Sequence, residues 1–368
     1  MKLGQAISFL MGGLQRSLFH DLEDCWRVPL SEKEKGLVAV LEMIRIEKYV
    51  PCSASNQVMG RKLSERESIA RSFVAKAVYG YPFTRSLIEA LNTTPTLRRI
   101  CGFGRVSDVP SESTFSRAFA EFAKSELGDR VHNAIVENSL KPELIGHVSR
   151  DSTAIEGREK PVKKTPKQKA APRKRGRPAK GDVREPKEQT RLERQCGQSA
   201  REALDELLTS CDVGTKKNSK GFKDTWIGYK LHADVNDCGL PISVALTAAS
   251  VHDSQVAIPL MKMTSAKVDY LYDVMDAAYD AGPIYEVSRS LGHVPLIDKN
   301  PRGTEVVPMA PHEAIRYNER TAVERFNSRM KEEFGAGNVM VRGARKVKMH
   351  LMFGVLALFA DHLLKLAT

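Results

Sequence analysis

Tyr317, Arg320, Glu324 and Lys331 carry the most informative spacing in the chain. On an α-helix a heptad drifts by only about 20°, so positions 317, 324 and 331 stack on one face with 320 beside them. That face presents one carboxylate between cations and a phenol, while Val323, Phe326, Met330 and Phe334 form a separate apolar stripe able to dock on a sheet. A solvated helix face with ordinary ion pairs has the same pattern, so the helix alone decides nothing. Two upstream acids change the weighing. Asp151 stands in a β-prone stretch, residues 147–155, where an acid is unusual unless exposed or functional. Asp276 follows a second strand at 270–275, at the end where open α/β sheets place their ligand groups. Asp151, Asp276 and Glu324 could converge to hold two Mg²⁺ or Mn²⁺ ions, hard cations that take oxygen ligands. Two such ions about 3.5–4 Å apart activate an attacking oxygen and stabilise the leaving one in phosphodiester displacement. Asp253, Asp273 and Asp280 are rivals that spacing does not exclude.

The elements that must position these acids follow from the pattern of apolar residues. Residues 1–145 read as helical. Ser31 caps one run, Ser64 with Glu67 makes a capping box, and Pro110-Ser111-Glu112-Ser113 opens a helix with Phe115, Phe119 and Phe122 at helical spacing. This region is either an all-α unit with an aromatic core or a DNA-binding one, with Arg85, Arg98, Arg99, Arg105 and Arg117 free for phosphates. Beyond 145 the pattern turns to strands. Ile227, Tyr229, Leu231, Ala233 and Val235 face one way, with Lys230, His232 and Asp234 on the other side; Asp237-Cys238-Gly239 then turns a hairpin. A helix follows Val251-His252-Asp253, with Asp253 expected to cap it and His232 to line the strand surface beside the site. One long helix is expected over 312–334. The order β, β, β, α, β, α, β, α predicts an α/β fold: a mixed, RNase H-like sheet flanked by helices, preceded by an all-α N-terminal domain.

At 368 residues the chain has room for two domains, and its 57 Lys/Arg against 45 Asp/Glu point to a polyanionic partner. The charge is localised. Residues 158–194 hold fifteen Lys/Arg against five Asp/Glu, ten of the twelve net positive charges, together with five prolines and almost no large apolar side chains. Such a stretch cannot bury enough surface to fold alone, and an unstructured basic segment is expected from 158 to 220. Within it, Lys174, Arg175, Gly176, Arg177 and Pro178 resemble an AT-hook, which could enter an A/T-rich minor groove or only attract phosphates. The six scattered cysteines form no metal or disulfide pattern and fit a reducing compartment. The N-terminal apolar run reads as a helix and not as a signal peptide. The C-terminal run at 349–366 is interrupted by Asp361, His362 and Lys365, so it reads as a packed helix, with no membrane partner.

Taken together, Asp151, the block from Gly228 to Gln255, Asp276-Ala277-Ala278-Tyr279-Asp280 and the Tyr317–Lys331 helix resemble the DDE transposases of bacterial insertion sequences. The branch resembled is the one with a Tyr-Arg-Glu-Lys signature. The likeness covers roughly 145–365. It implies a helical N-terminal domain over 1–145 and a catalytic domain over 146–368. It makes Asp151, Asp276 and Glu324 the catalytic, metal-binding acids, with Tyr317, Arg320 and Lys331 contacting the DNA strand near the cut. The expected activity is Mg²⁺-dependent cleavage at terminal inverted repeats, followed by joining of the freed 3′-OH to target DNA. A homodimer on double-stranded DNA, in the cytoplasm with the nucleoid, is implied. A non-transposing nuclease and an inert DNA-binding relic are the alternatives. Only 47 residues separate Asp276 from Glu324, so the β insertion of some relatives is absent, and the extra length lies between Asp151 and Asp276.

Overall fold

A computed structural model describes residues 29–50, 66–163, 188–217, 221–301 and 308–367. The Ser64 capping pair, the N-terminal run and the Lys174, Arg175 and Arg177 cluster lie wholly or partly outside those residues. The helical region comprises α1 (Glu32–Ile44), α2 (Arg66–Val78), α3 (Thr84–Thr93), α4 (Pro95–Ile100), α5 (Glu112–Lys124) and α6 (Leu127–Leu140). Ser31 does cap α1, in a reciprocal box with Glu34. Phe115, Phe119 and Phe122 are buried as their spacing predicts, and Phe73 meets Phe115 and Phe119 edge-on at 5.8 and 4.9 Å. One expected phosphate ligand is withdrawn: Arg98 is 8 % exposed and donates to the carbonyls of Leu91 and Asn92, ending the α3–α4 turn.

Next come β1 (Leu144–Glu156), α7 (Arg191–Gly197), α8 (Ala200–Asp205), β2 (Asp212–Lys217), β3 (Lys223–Asn236) and β4 (Pro241–Ala248). The chain continues with α9 (Ser254–Ser265), β5 (Asp269–Met275), α10 (Gly282–Ser290), β6 (Val294–Ile297), α11 (Pro311–Tyr317), α12 (Thr321–Glu332) and α13 (Ala344–Ala367). The strands form one six-stranded sheet, β2-β3-β1-β5-β6, with β4 also on β3. β3 runs antiparallel to β1, β2 and β4, whereas β1, β5 and β6 are parallel. This is the mixed, helix-flanked, RNase H-like α/β arrangement that the element order predicts. At Gly228 β3 hands its outer edge from β2 to β4. Its φ of +152° and the Ile155 carbonyl packed against its α-carbon leave no space for a side chain.

The structure departs from expectation in three places. Residues 191–217, assigned by composition to the unstructured segment, form α7, α8 and β2. The helices begin with capping boxes at Thr190/Glu193 and Ser199/Glu202, and β2 pairs with β3. The boundary at 145 also does not separate two cores. The apolar helix α13 supplies Met349, Phe353, Leu356 and Phe359 to the same buried cluster as α1, α2, α5 and α6, and Phe73 stacks on Phe353 at 5.3 Å. Its opposite side packs on β3, β4 and α12 through Leu351, Met352 and Val355. It is long and apolar enough to cross a membrane, but 72 % of its apolar window is buried in the protein, as in a core helix. Lastly, the single helix expected over 312–334 is two, α11 and α12, joined by a 3-10 turn at Asn318–Arg320.

A buried charge cluster ties the sheet's centre together. Arg150 on β1 is fully buried; it donates to both Asp234 oxygens on β3 at 2.7 and 2.6 Å and to Asp273 on β5 at 3.3 Å. Thr264 of α9 donates to Asp234, and Tyr270 and Ser288 donate to Asp273. Replacing Arg150 with Met would leave two buried carboxylates without their cation. A loss of about 3–5 kcal/mol is expected in urea unfolding; an unchanged midpoint would show that the cluster does not hold the strands.

Candidate active site

Side chains alternate along β1. Arg150 points into the α9/α10 side, so Ser149 and Asp151 point to the opposite side, under α12. The parallel register pairs Arg150 with Met275, and one step further along both strands sets Asp151 beside Asp276. Asp276 lies just past β5, where its Oδ1 accepts from the Ala278 amide at 2.9 Å and caps the turn Ala277–Tyr279. Ser149 Oγ donates to the Glu319 carbonyl at 2.8 Å, fixing the 3-10 turn before α12 over the strand.

That turn delivers Arg320. Its guanidinium lies 4.0 Å from Asp151 Oδ2, 3.6 Å from Asp276 Oδ2 and 2.5 Å from Glu324 Oε1. The three acids singled out from sequence, on β1, after β5 and on α12, are thus gathered round one cation. Burial pushes the Asp151 carboxyl up to about 6; the charge of Asp276 adds to this, while the Ser152 amide and Arg320 oppose it. The Tyr317 phenol is raised to about 12, first by burial and then by Asp298, Asp276 and Glu324, against the pull of Arg320. Tyr317 therefore belongs to the same cluster, although the 3-10 turn advances it by about 20° per residue relative to a straight α-helix. Lys331 does not join the acids. It is exposed at the far end of α12, its ammonium lowered by burial and by Lys216 and stabilised by Glu156.

The rival acids have other work. Asp273 is taken by Arg150, and Asp280 by Tyr285, Lys299 and the Asn300 amide. Asp253 does not cap α9 as expected. Its residue is already helical and its carboxylate instead accepts from Lys230 Nζ at 2.8 Å, 4.0 Å from His232. His232 is fully buried and bonded to Thr247, not spread on the strand surface. Two further residues stand here, one of which, Asn327, sequence reasoning passed over. Asn327, one turn beyond Glu324 on α12, donates to Asp151 Oδ2 at 3.4 Å. Tyr279 is fully buried, and Asp253, Asp151 and Asp276 all press on its hydroxyl. The i+3 spacing of Asn327 from Glu324 was the available signal; Tyr279 stood in the motif that follows Asp276, without a role assigned to it.

Three carboxylates against one guanidinium leave an excess of negative charge, and all the donors are hard oxygens, which suits a divalent ion such as Mg²⁺ or Mn²⁺. Among the described residues, Tyr279 Oη and Asn327 Oδ1, both beside these acids, are buried without a hydrogen-bond partner, and both are oxygens that the waters of a hydrated ion would satisfy. Among the described residues no three acidic, His or Cys side chains yet stand close enough together to grip an ion; Arg320 occupies the space among them.

A family model described as a transposase DDE domain matches residues 208–360, which include Asp276 and Glu324, and one described as a transposase domain (DUF772) matches residues 30–121. Asp151 falls between the two. No curated protein and no solved structure matches the chain.

The raised carboxyl of Asp151 makes a signed prediction. Below its ordinary value of 3.8 the group is neutral in folded and unfolded chains alike, and burial costs nothing. Between 3.8 and about 6 the unfolded chain ionises it while the folded chain holds the proton, so stability falls across that window and stays at the lower level above it. In metal-free protein Asp151→Asn should therefore gain about 1–3 kcal/mol over the parent above pH 6, and nothing near pH 4. Equal stabilities in a pH series of urea titrations would refute the buried charge.

Proposed function

We propose, from the premise that this chain belongs to the DDE transposases and acts on DNA, that Asp151, Asp276 and Glu324 are its catalytic acids. The observation that carries this reading is the meeting of all three, from separate elements, at the guanidinium of Arg320. These carboxylates would hold Mg²⁺ or Mn²⁺, two ions in the reading proposed. Bound there, the metal would sharpen the attacking oxygen and stabilise the leaving one. The chain's own contributions are positional and electrostatic. Asn327 orients Asp151, the Ala278 amide fixes Asp276, and the Ser149–Glu319 bond sets the angle of α12. Asp151 must lose its proton to serve as a ligand, so metal affinity should weaken as pH drops through about 6. Arg320 and Tyr317 lie where a phosphate near the cut would sit, and Lys331 can meet the strand further along.

The reaction proposed is hydrolysis at the terminal inverted repeats, freeing a 3′-OH that attacks a target phosphodiester and displaces the target's own 3′ oxygen. A homodimer bringing two ends together on double-stranded DNA suits that chemistry, in a cytoplasmic, nucleoid-associated setting. The Lys174, Arg175 and Arg177 cluster would add attraction to phosphates or to an A/T-rich minor groove.

DNA flanking the gene provides the substrate for a test in which cleaved and joined products are followed with Mg²⁺. Glu324→Gln should lower cleavage on the order of 10²–10³-fold while leaving DNA binding in place. Normal cutting by this variant would remove Glu324 from the metal site. Tight binding by wild type with no metal-dependent cutting would favour a DNA-binding relic.

A further inference from the structure

A cleft of about 800 Å³ opens between the helical region and the end of α12, away from the three acids. One wall comes from α2 and α3, with Lys76, Phe83 and Arg85; the other comes from Arg158 after β1, Phe334 after α12, and Arg342 and Lys346 around the start of α13. Five cations line it against two acids, Glu89 and Glu112. Among the described residues only Arg85 is paired with an acid, Glu112 at 3.4 Å. The Arg342 side chain donates to the Arg158 carbonyl at 3.1 Å, which ties the segment after β1 to the start of α13. Five cations against two acids leave three positive charges in excess along the cleft, a field that attracts a polyanion.

Lys76 makes the point most sharply. It is 8 % exposed and has no ion pair or side-chain hydrogen bond among the described residues. Burial alone pulls its ammonium down to about 8. An unpaired lysine in an apolar wall of Phe73, Phe119 and Phe353 serves no packing need that Met or Leu would not meet better.

The cleft also lies on a line with the acids. From Glu324 to Glu332, the last residue of α12, is eight residues, about 12 Å of helix at 1.5 Å per residue, and Phe334 follows two residues later. Lys331 stands between them, close to Lys216 and Glu156, and Arg158 follows two residues after Glu156. At about 3.4 Å per phosphate along one strand, that interval spans about four phosphates.

We infer that this cleft is a second DNA-backbone site, and that a duplex engaged at the acids runs along α12, past Lys331, to seat strand phosphates on Lys76, Arg158, Arg342 and Lys346. The inference rests on the reading of the acids as a DNA-cutting site. It adds a contact surface in which both the helical region and the catalytic region hold the same strand, so that the shared helix α13 keeps grip and chemistry in register.

The test is equilibrium binding of a labelled duplex from the gene's flank, followed by fluorescence anisotropy over a series of KCl concentrations. Asp276→Asn protein in chelator keeps chemistry out of the readout. Arg342→Ala with Lys346→Ala, both exposed positions, should reduce the slope of log K against log salt by about 1.8, near 0.9 for each phosphate no longer neutralised. Lys76→Met should reduce it by about 0.9 and melt at the parent temperature or higher, because it removes a buried unpaired charge. Arg201→Ala with Lys141→Ala, outside the cleft, should leave the slope unchanged. If the parent binds the duplex and the cleft variants keep its slope, the second site is wrong and the reading of the acids stands. If the parent does not bind duplex DNA at all, both fall.

Discussion

A fully buried arginine sets the terms for this protein. Arg150 has no access to water, and the carboxylates of Asp234 and Asp273 keep its charge in place. Burial works against the charged guanidinium, but the two acids outweigh it and hold the group well above its ordinary range. Because the three side chains come from β1, β3 and β5, they lock an antiparallel pair and a parallel pair into one register. A slip of one residue along β1 would put the cation on the wrong face and leave two acids buried alone. Charge pairing of this kind is a poor source of net stability, but it strongly disfavours alternative registers.

The candidate site depends on that register. With Arg150 committed to one face, its neighbour Asp151 has to emerge on the other, level with the end of β5 where Asp276 sits. The α12 helix is then placed over both by the Ser149 contact to Glu319 and by its own apolar stripe, Val323, Phe326 and Met330, which is buried on β3 and α13. Helix α13 extends the same frame into the helical region, since one face packs on the sheet and the other completes the cluster around Phe73. Two regions that look separable by composition therefore share one interior.

Much of this was legible in the sequence. The alternation at 227–235 identified β3, the acids at 151, 276 and 324 stood out by position, and the aromatic spacing in α5 predicted its buried face. The remainder was hidden for physical reasons. The polar side of β3 carries Lys230, His232 and Asp234, whose residue types suit a wet face but which are enclosed by partners from β1, β4, α9 and the loop before α9. Net charge and proline content masked α7 and α8, although Thr190-x-x-Glu193 and Ser199-x-x-Glu202 were readable helix starts. The break at Asn318–Arg320 follows from a tertiary contact to Ser149, which no heptad count contains. Asp253 was misjudged because capping is a local rule, and Lys230, on the same face of β3 as Asp234, claims the carboxylate first.

The claim on which everything else rests is that Asp151, Asp276 and Glu324 share one metal centre whose place is held by Arg320. Diffraction from crystals grown with Mn²⁺, collected at the manganese absorption edge, tests it most directly. Anomalous density is predicted among the three carboxylates, with the Arg320 guanidinium moved out of contact with Asp151 and Asp276. Manganese bound elsewhere, or an Arg320 still seated among the acids at saturating metal, would contradict the account.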